Sequence, residues 1–233
     1  MPDYTLYYWS VPFRGQFVRA VLAFAGKSWS EAGDSEIAAL MEGEPSAMPV
    51  PFMGPPVLVD EGAGIAVSQT TAIIGYLSET LDLLPKDPGL RALTRKVVAD
   101  ANDVIDELTL YGGRQMWTPQ RWREFEPRLR KWMALWEDLG CRHGLKPGSG
   151  NLLGGDTPGI ADVVTATLWS TMAERFPATG VLLRETAPNT ASLVERVAAL
   201  PALAELSRRA RRDYGQTYSG GQIEASLRKV LDA

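Results

Sequence analysis

The spacing of apolar positions changes character along this chain, and the change divides it into two parts. Residues 4–9, Tyr-Thr-Leu-Tyr-Tyr-Trp, are aromatic and β-branched and predict a strand. The loop Ser10-Val11-Pro12-Phe13-Arg14-Gly15 follows. From Gln16 to Ala25 the apolar residues Phe17, Val18, Val21, Leu22 and Ala25 recur at helical spacing, with Gly26 placed to end the helix. Residues 43–56 hold five prolines and predict irregular loop. Val57 to Val59 predicts a short strand, 60–64 a turn, and Ile65 to Val67 the return strand of a hairpin. Thr71 to Leu81 predicts a helix with Ile73, Ile74, Leu77 and Leu81 on one side. The order is β-α, loop, β-β-α. Past the double-proline stretch 83–89, strand signals stop. Helices are predicted over 90–111, 119–140, 160–175, 189–199, 202–212 and 222–231. In the second of these, Trp122, Phe125, Leu129, Trp132, Met133, Trp136 and Leu139 make a stripe that predicts core packing. The expected organisation is an α+β domain over 1–82, a linker over 83–89 and an all-α helical domain over 90–233.

Composition narrows the function. A chain of 233 residues can bury a core without disulfides or metals. It has no apolar run long enough to span a membrane, and Met1-Pro2-Asp3-Tyr4 does not start a secretory signal, so neither membrane nor export is expected. A single cysteine, Cys141, fits a reducing, cytoplasmic setting. Cys141 and His143 are too few for a zinc site or a Ser-His-Asp triad, and read as local structure at a helix end; no metal is expected. The net charge of −4 argues against a nucleic-acid partner. That charge is unevenly spread. Residues 1–82 carry 3 basic against 10 acidic side chains, and the remainder 21 against 18, as two domains of different character would.

Four segments carry a resemblance. They are Tyr4 to Trp9 with Arg14-Gly15 and Arg19 behind it; Gly54-Pro55-Pro56-Val57-Leu58; Ser68-Gln69-Thr70-Thr71-Ala72-Ile73; and Gly155-Asp156-Thr157-Pro158-Gly159-Ile160-Ala161-Asp162. In this order and spacing they resemble the cytosolic glutathione S-transferases. The opening is most similar to the tyrosine-type classes, pi and sigma especially. The resemblance covers residues 4–212. It implies a thioredoxin-like N-terminal domain that binds glutathione as co-substrate and a helical C-terminal domain. It also implies a small apolar electrophile in the cleft between them, and usually a homodimer.

It further implies roles for single residues. Tyr8 matches the tyrosine whose phenol donates to the glutathione sulfur. A free thiol has a pKa near 8.5, and lowering it by about two units, roughly 2.7 kcal/mol, makes thiolate the major form at neutral pH. Ser10 is the rival, because serine-type classes place a serine in this loop, and it also borders the electrophile pocket. Arg14 matches an arginine that grips a glutathione carboxylate. Gln69 and Thr70 match the pair that holds the γ-glutamyl end, Thr70 through its hydroxyl and the N–H groups of a helix start. Pro56 matches the family's cis-proline, with Pro55 before it against the ligand cysteine. Glu107 or Asp106 stands where an acidic residue reaches a glutathione ammonium across a dimer interface. Tyr111 and Trp117 stand where relatives line the electrophile pocket. Phe52 stands where some insert an aromatic into the partner subunit.

Three departures qualify the match. Pro55 has no N–H, so one of two backbone bonds to the ligand cysteine is lost, a cost of about 1 kcal/mol. Residues 32–54 contain no Trp, Lys or Arg to hold the glycine carboxylate, and carry Glu36, Glu42 and Glu44. Gly159 replaces the usual Ser/Thr helix cap before Asp162, with Thr157-Pro158 as another possible start. The third bears on folding and not on chemistry; the first two predict weaker glutathione binding or a different thiol ligand. They also keep open a non-catalytic binding protein of the same fold. A thiol-disulfide oxidoreductase is excluded, since the first loop has no cysteine.

Overall fold

The computed structural model describes residues 1–232; Ala233, the last residue of the predicted helical domain, lies outside the described residues. The chain opens with β1 (Tyr4–Tyr7), α1 (Phe13–Phe24), β2 (Trp29–Glu31) and α2 (Asp34–Glu42). A proline-rich loop containing one 3-10 turn, Pro45–Ala47, leads into β3 (Val57–Asp60), β4 (Ile65–Ser68) and α3 (Thr70–Thr80). The four strands form one mixed sheet in the order β2-β1-β3-β4, with β1 parallel to β2 and antiparallel to β3.

Helix α1 closes with the bond pattern a glycine in the left-handed region permits. Gly26 has φ +66, its N–H donates to Ala23 O, and the Lys27 N–H donates to Leu22 O. The residues from Gly15 to Leu22 are all buried, so α1 is covered on every side. One flank meets α3; the other meets the helical domain through α7 (Ile160–Arg175) and α10 (Pro201–Tyr214).

The helical domain comprises α4 (Pro88–Leu108), a short left-handed turn α5 (Leu110–Gly113), α6 (Pro119–Arg142), α7, α8 (Pro177–Thr186), α9 (Pro188–Ala198), α10 and α11 (Gly221–Leu231). Three of these start as capping rules require. Asp87 accepts from Leu90 N at 2.8 Å, Thr118 from Arg121 N at 3.2 Å, and Asp162 reaches back to Gly159 N at 2.8 Å. Gly159 is therefore the cap of α7, not Thr157. The α6 stripe is core: Leu129, Met133 and Trp136 are buried, and Trp136 meets Trp169 edge-on at 5.5 Å.

The pattern of apolar positions missed β2, α2 and α8. Strand β2 is three residues long on a sheet edge, and α2 buries only Ile37, so neither has a stripe to read. Helix α8 lies between Pro177 and Pro188 and contains Gly180, all signals of interruption. No helix among the described residues is long and apolar enough to cross a membrane.

Candidate functional site

Sheet register gathers the site. Tyr7 pairs with Val57, and Val57 with Ser68, so β1, β3 and β4 finish level at one end of the sheet. The residues just beyond them, Tyr8, Pro56 and Gln69, emerge side by side at strand spacing. The Pro55–Pro56 peptide is cis. Pro56 O accepts from Gln69 N at 3.3 Å, which ties the β3 entry to the start of α3.

Tyr8 is buried, and its phenol oxygen accepts the Arg14 backbone N–H at 3.0 Å. Its ring lies on Gly15, where a Cβ would stand 2.2 Å from Tyr8 Cδ1, so only glycine fits there. Burial pushes the Tyr8 pKa up to about 12, against the opposing pull of the Arg14 charge and N–H. Tyr8 therefore keeps its proton at neutral pH and is a hydrogen-bond donor. Arg19 lies beneath it, its guanidinium 5.6 Å from the ring centroid. Arg19 is itself buried, forks onto Glu31 with two bonds of 2.7 Å, and donates to Val11 O at 2.9 Å. It braces the loop that carries Ser10 to Arg14, a role its place among apolar neighbours could have signalled.

Ser10 is used otherwise. Both its N–H and its hydroxyl donate to Asp34 Oδ1 at 3.0 Å, at the start of α2. The Arg14 side chain crosses to the helical domain and pairs with Asp106 at 3.0 Å. With both ends partly exposed the pair contributes at most about 1 kcal/mol, but it fixes the guanidinium at the mouth between the domains.

At α3 the geometry suits an anion. Gln69 precedes the helix with φ +77, a conformation costing a non-glycine residue about 1–3 kcal/mol. Thr70 is buried at the first helical position, and its hydroxyl has no partner among the described residues. An orphan hydroxyl beside unpaired helix N–H groups is what a carboxylate would satisfy.

Residues 93–230, more than half the chain, match the family model of the glutathione S-transferase C-terminal domain. The chain belongs to the glutathione S-transferase family. No curated protein matches it by sequence. Among solved structures it is similar to a monomeric glutathione S-transferase of the hookworm Necator americanus, at 21% identity and TM-score 0.71, over 89% of this chain and 97% of that one. It is also similar to a Nu-class transferase of Haemonchus contortus, at 22% and 0.69, with the same coverage. A transferase of Ascaris lumbricoides gives 20% and 0.71, over 90% and 98%. At these identities the likeness is one of fold: a thioredoxin-like α+β half and a helical half.

The other expected residues of this transferase family member are spread more widely. Glu107 faces inward, chelated by Arg128 Nε at 2.6 Å and bonded by Trp132 Nε1 at 3.2 Å, both on α6. Of the two acids matched to the ammonium contact across a dimer interface, Asp106 is the one that meets Arg14. Trp117 is buried in an aromatic cluster with Trp122 and Phe125 and donates to Leu108 O at 2.9 Å. Tyr111, in the left-handed turn with φ +54, is 62% exposed. Phe52 is half-buried, its N–H on Met48 Sδ at 3.4 Å.

Proposed function

We propose that this transferase ionises the thiol of glutathione through the Tyr8 hydroxyl and directs the thiolate at a small apolar electrophile. Residues 1–82 form the glutathione-binding domain, 83–89 the linker and 90–233 the helical domain, which supplies the electrophile's side of the cleft. Tyr8 donates its O–H to the sulfur. Thr70, with the N–H groups at the start of α3, takes the γ-glutamyl carboxylate, and Gln69 its neighbouring backbone atoms. Pro55 contributes its carbonyl, and cis-Pro56 shapes the wall. Arg14, held by Asp106, adds positive charge. The working form is a cytoplasmic homodimer.

One observation carries the reading: the protonated Tyr8 phenol, fixed by Arg14 N–H, stands level with cis-Pro56 and with the unpartnered Thr70 hydroxyl. Ser10 is the weaker candidate because its hydroxyl already donates a hydrogen bond to Asp34 Oδ1. The missing Pro55 N–H and the acidic, cation-free stretch 32–54 favour a second reading, a protein of this fold that binds without turning over.

Calorimetric titration with glutathione, together with thiolate absorbance against pH, separates the two. Wild type should bind and lower the thiol pKa by about two units. Tyr8→Phe should bind comparably and lose most of that shift, while Thr70→Val should weaken binding about tenfold or more. Binding without thiol ionisation supports the second reading. No heat at millimolar glutathione removes both.

A further inference from the structure

The bond that fixes Tyr8 is held from the far end of the chain. We propose that residues 217–224 form a clip on the Tyr8 site, and that Glu224 is a positioning residue for the Tyr8 hydroxyl. The proposal rests on the reading of Tyr8 given above.

Glu224 is buried at the start of α11. Its Oε2 accepts three successive backbone N–H groups, from Tyr218 at 2.9 Å, Ser219 at 2.9 Å and Gly220 at 2.7 Å. Its Oε1 accepts from Arg228 at 2.6 Å. Gly220 completes the turn with φ +75. One carboxylate thus fixes the backbone of 218–220, and with it the direction of the Tyr218 carbonyl. That carbonyl accepts the Phe13 N–H at 3.2 Å. The Tyr218 ring is wedged edge-on between Phe13, 5.4 Å away, and Phe176, 5.3 Å away.

Phe13 is held where a non-glycine residue does not stay unaided, at φ +29. The next N–H in the chain is that of Arg14, the one donated to Tyr8 Oη. The path runs from Glu224 to the turn 218–220, to Phe13, to Arg14, to Tyr8. Releasing the turn lets Phe13 relax and withdraws the Arg14 N–H. The Tyr8 hydroxyl then loses its orientation and becomes a weaker donor, since a hydrogen bond accepted by an oxygen strengthens the one it gives. A clip that only staples α11 in place would change stability and leave the chemistry of the bound thiol alone.

The test uses the full-length protein saturated with glutathione, following thiolate absorbance against pH, with folding checked by circular dichroism. Glu224→Gln should raise the bound-thiol pKa by about half to one unit, lowering the thiolate-to-thiol ratio about three- to tenfold. Gly220→Ala, which strains the same turn, should shift it in the same direction and carries the test if Glu224→Gln does not fold. In a Tyr8→Phe background, Glu224→Gln should add nothing. A folded Glu224→Gln or Gly220→Ala with the wild-type thiol pKa overturns the clip alone, and so does an equal shift when Tyr8 is already Phe. If the wild-type thiol keeps its free pKa, or Tyr8→Phe has no effect on it, the Tyr8 reading fails and the clip with it.

Discussion

Tyr8 shows what a single side chain owes to its surroundings. Its burial favours the neutral phenol, and this has a consequence for stability. An unfolded tyrosine ionises near pH 10, whereas Tyr8 in the fold resists ionisation until about pH 12. The folded pKa is the higher one. The contribution is therefore complete below pH 10 and is lost as pH rises from 10 to 12. Two units amount to about 2–3 kcal/mol. Tyr76 and Tyr218 are raised in the same direction, so the Tyr8 share is a difference between proteins. Urea unfolding between pH 9 and 12 should show wild type losing stability more steeply than Tyr8→Phe; equal slopes would mean that Tyr8 ionises freely in the fold. The position of Tyr8 was legible because its determinants are local: a strand end, a loop and a helix start within twelve residues. Gln69, Thr70 and Pro56 were legible for the same reason. The engagement of Ser10 by Asp34 and of Glu107 by Arg128 was not. Each partner lies more than twenty residues away, and nothing local marks it.

Elements were read well where burial demanded apolar residues. Helix α7, predicted over 160–175, is covered all round: every residue from Ile160 to Trp169 is buried. Helix α2 was invisible because Ile37 is its only buried residue, and most of the rest is exposed. The property that hid α2 from the sequence also makes it weak. It is held by Ile37 and by Asp34, whose carboxylate accepts hydrogen bonds from both the N–H and the hydroxyl of Ser10. Local opening free energy follows buried contacts. Amide exchange should therefore be several orders of magnitude faster over 34–42 than over 160–172, at a rate set by opening of α2 alone. Asp34→Asn should quicken α2 further and leave α7 unchanged. Equal protection of the two helices would mean that α2 is held by contacts other than these.

The whole molecule has two chemical characters but shares one helix. The charge asymmetry between 1–82 and the remainder accompanies a change from mixed to all-helical structure, yet it does not imply two independent folding units. Helix α1 is buried on all sides, against α3 within its own half and against α7 and α10 in the other. Separating the halves would bare an apolar face of α1 and leave the Arg19 site beside Tyr214 open to water. It would also break the Arg14–Asp106 pair and the Phe13–Tyr218 bond. Hydrophobic burial dominates this ledger, since the exposed ion pair contributes little. The sequence predicts a linker over 83–89 but not this sharing, because a helix covered on both flanks and a helix covered on one differ only in a few positions of the stripe. A single cooperative transition is expected in urea. Far-ultraviolet circular dichroism, which reports all the helices, should coincide with tryptophan fluorescence, dominated by the five tryptophans past residue 90. A fragment ending at residue 82 should not fold alone. Two separated transitions, or a folded fragment, would show that the interface along α1 is weaker than its burial indicates, and that the Tyr8 loop can be ordered without the helical half.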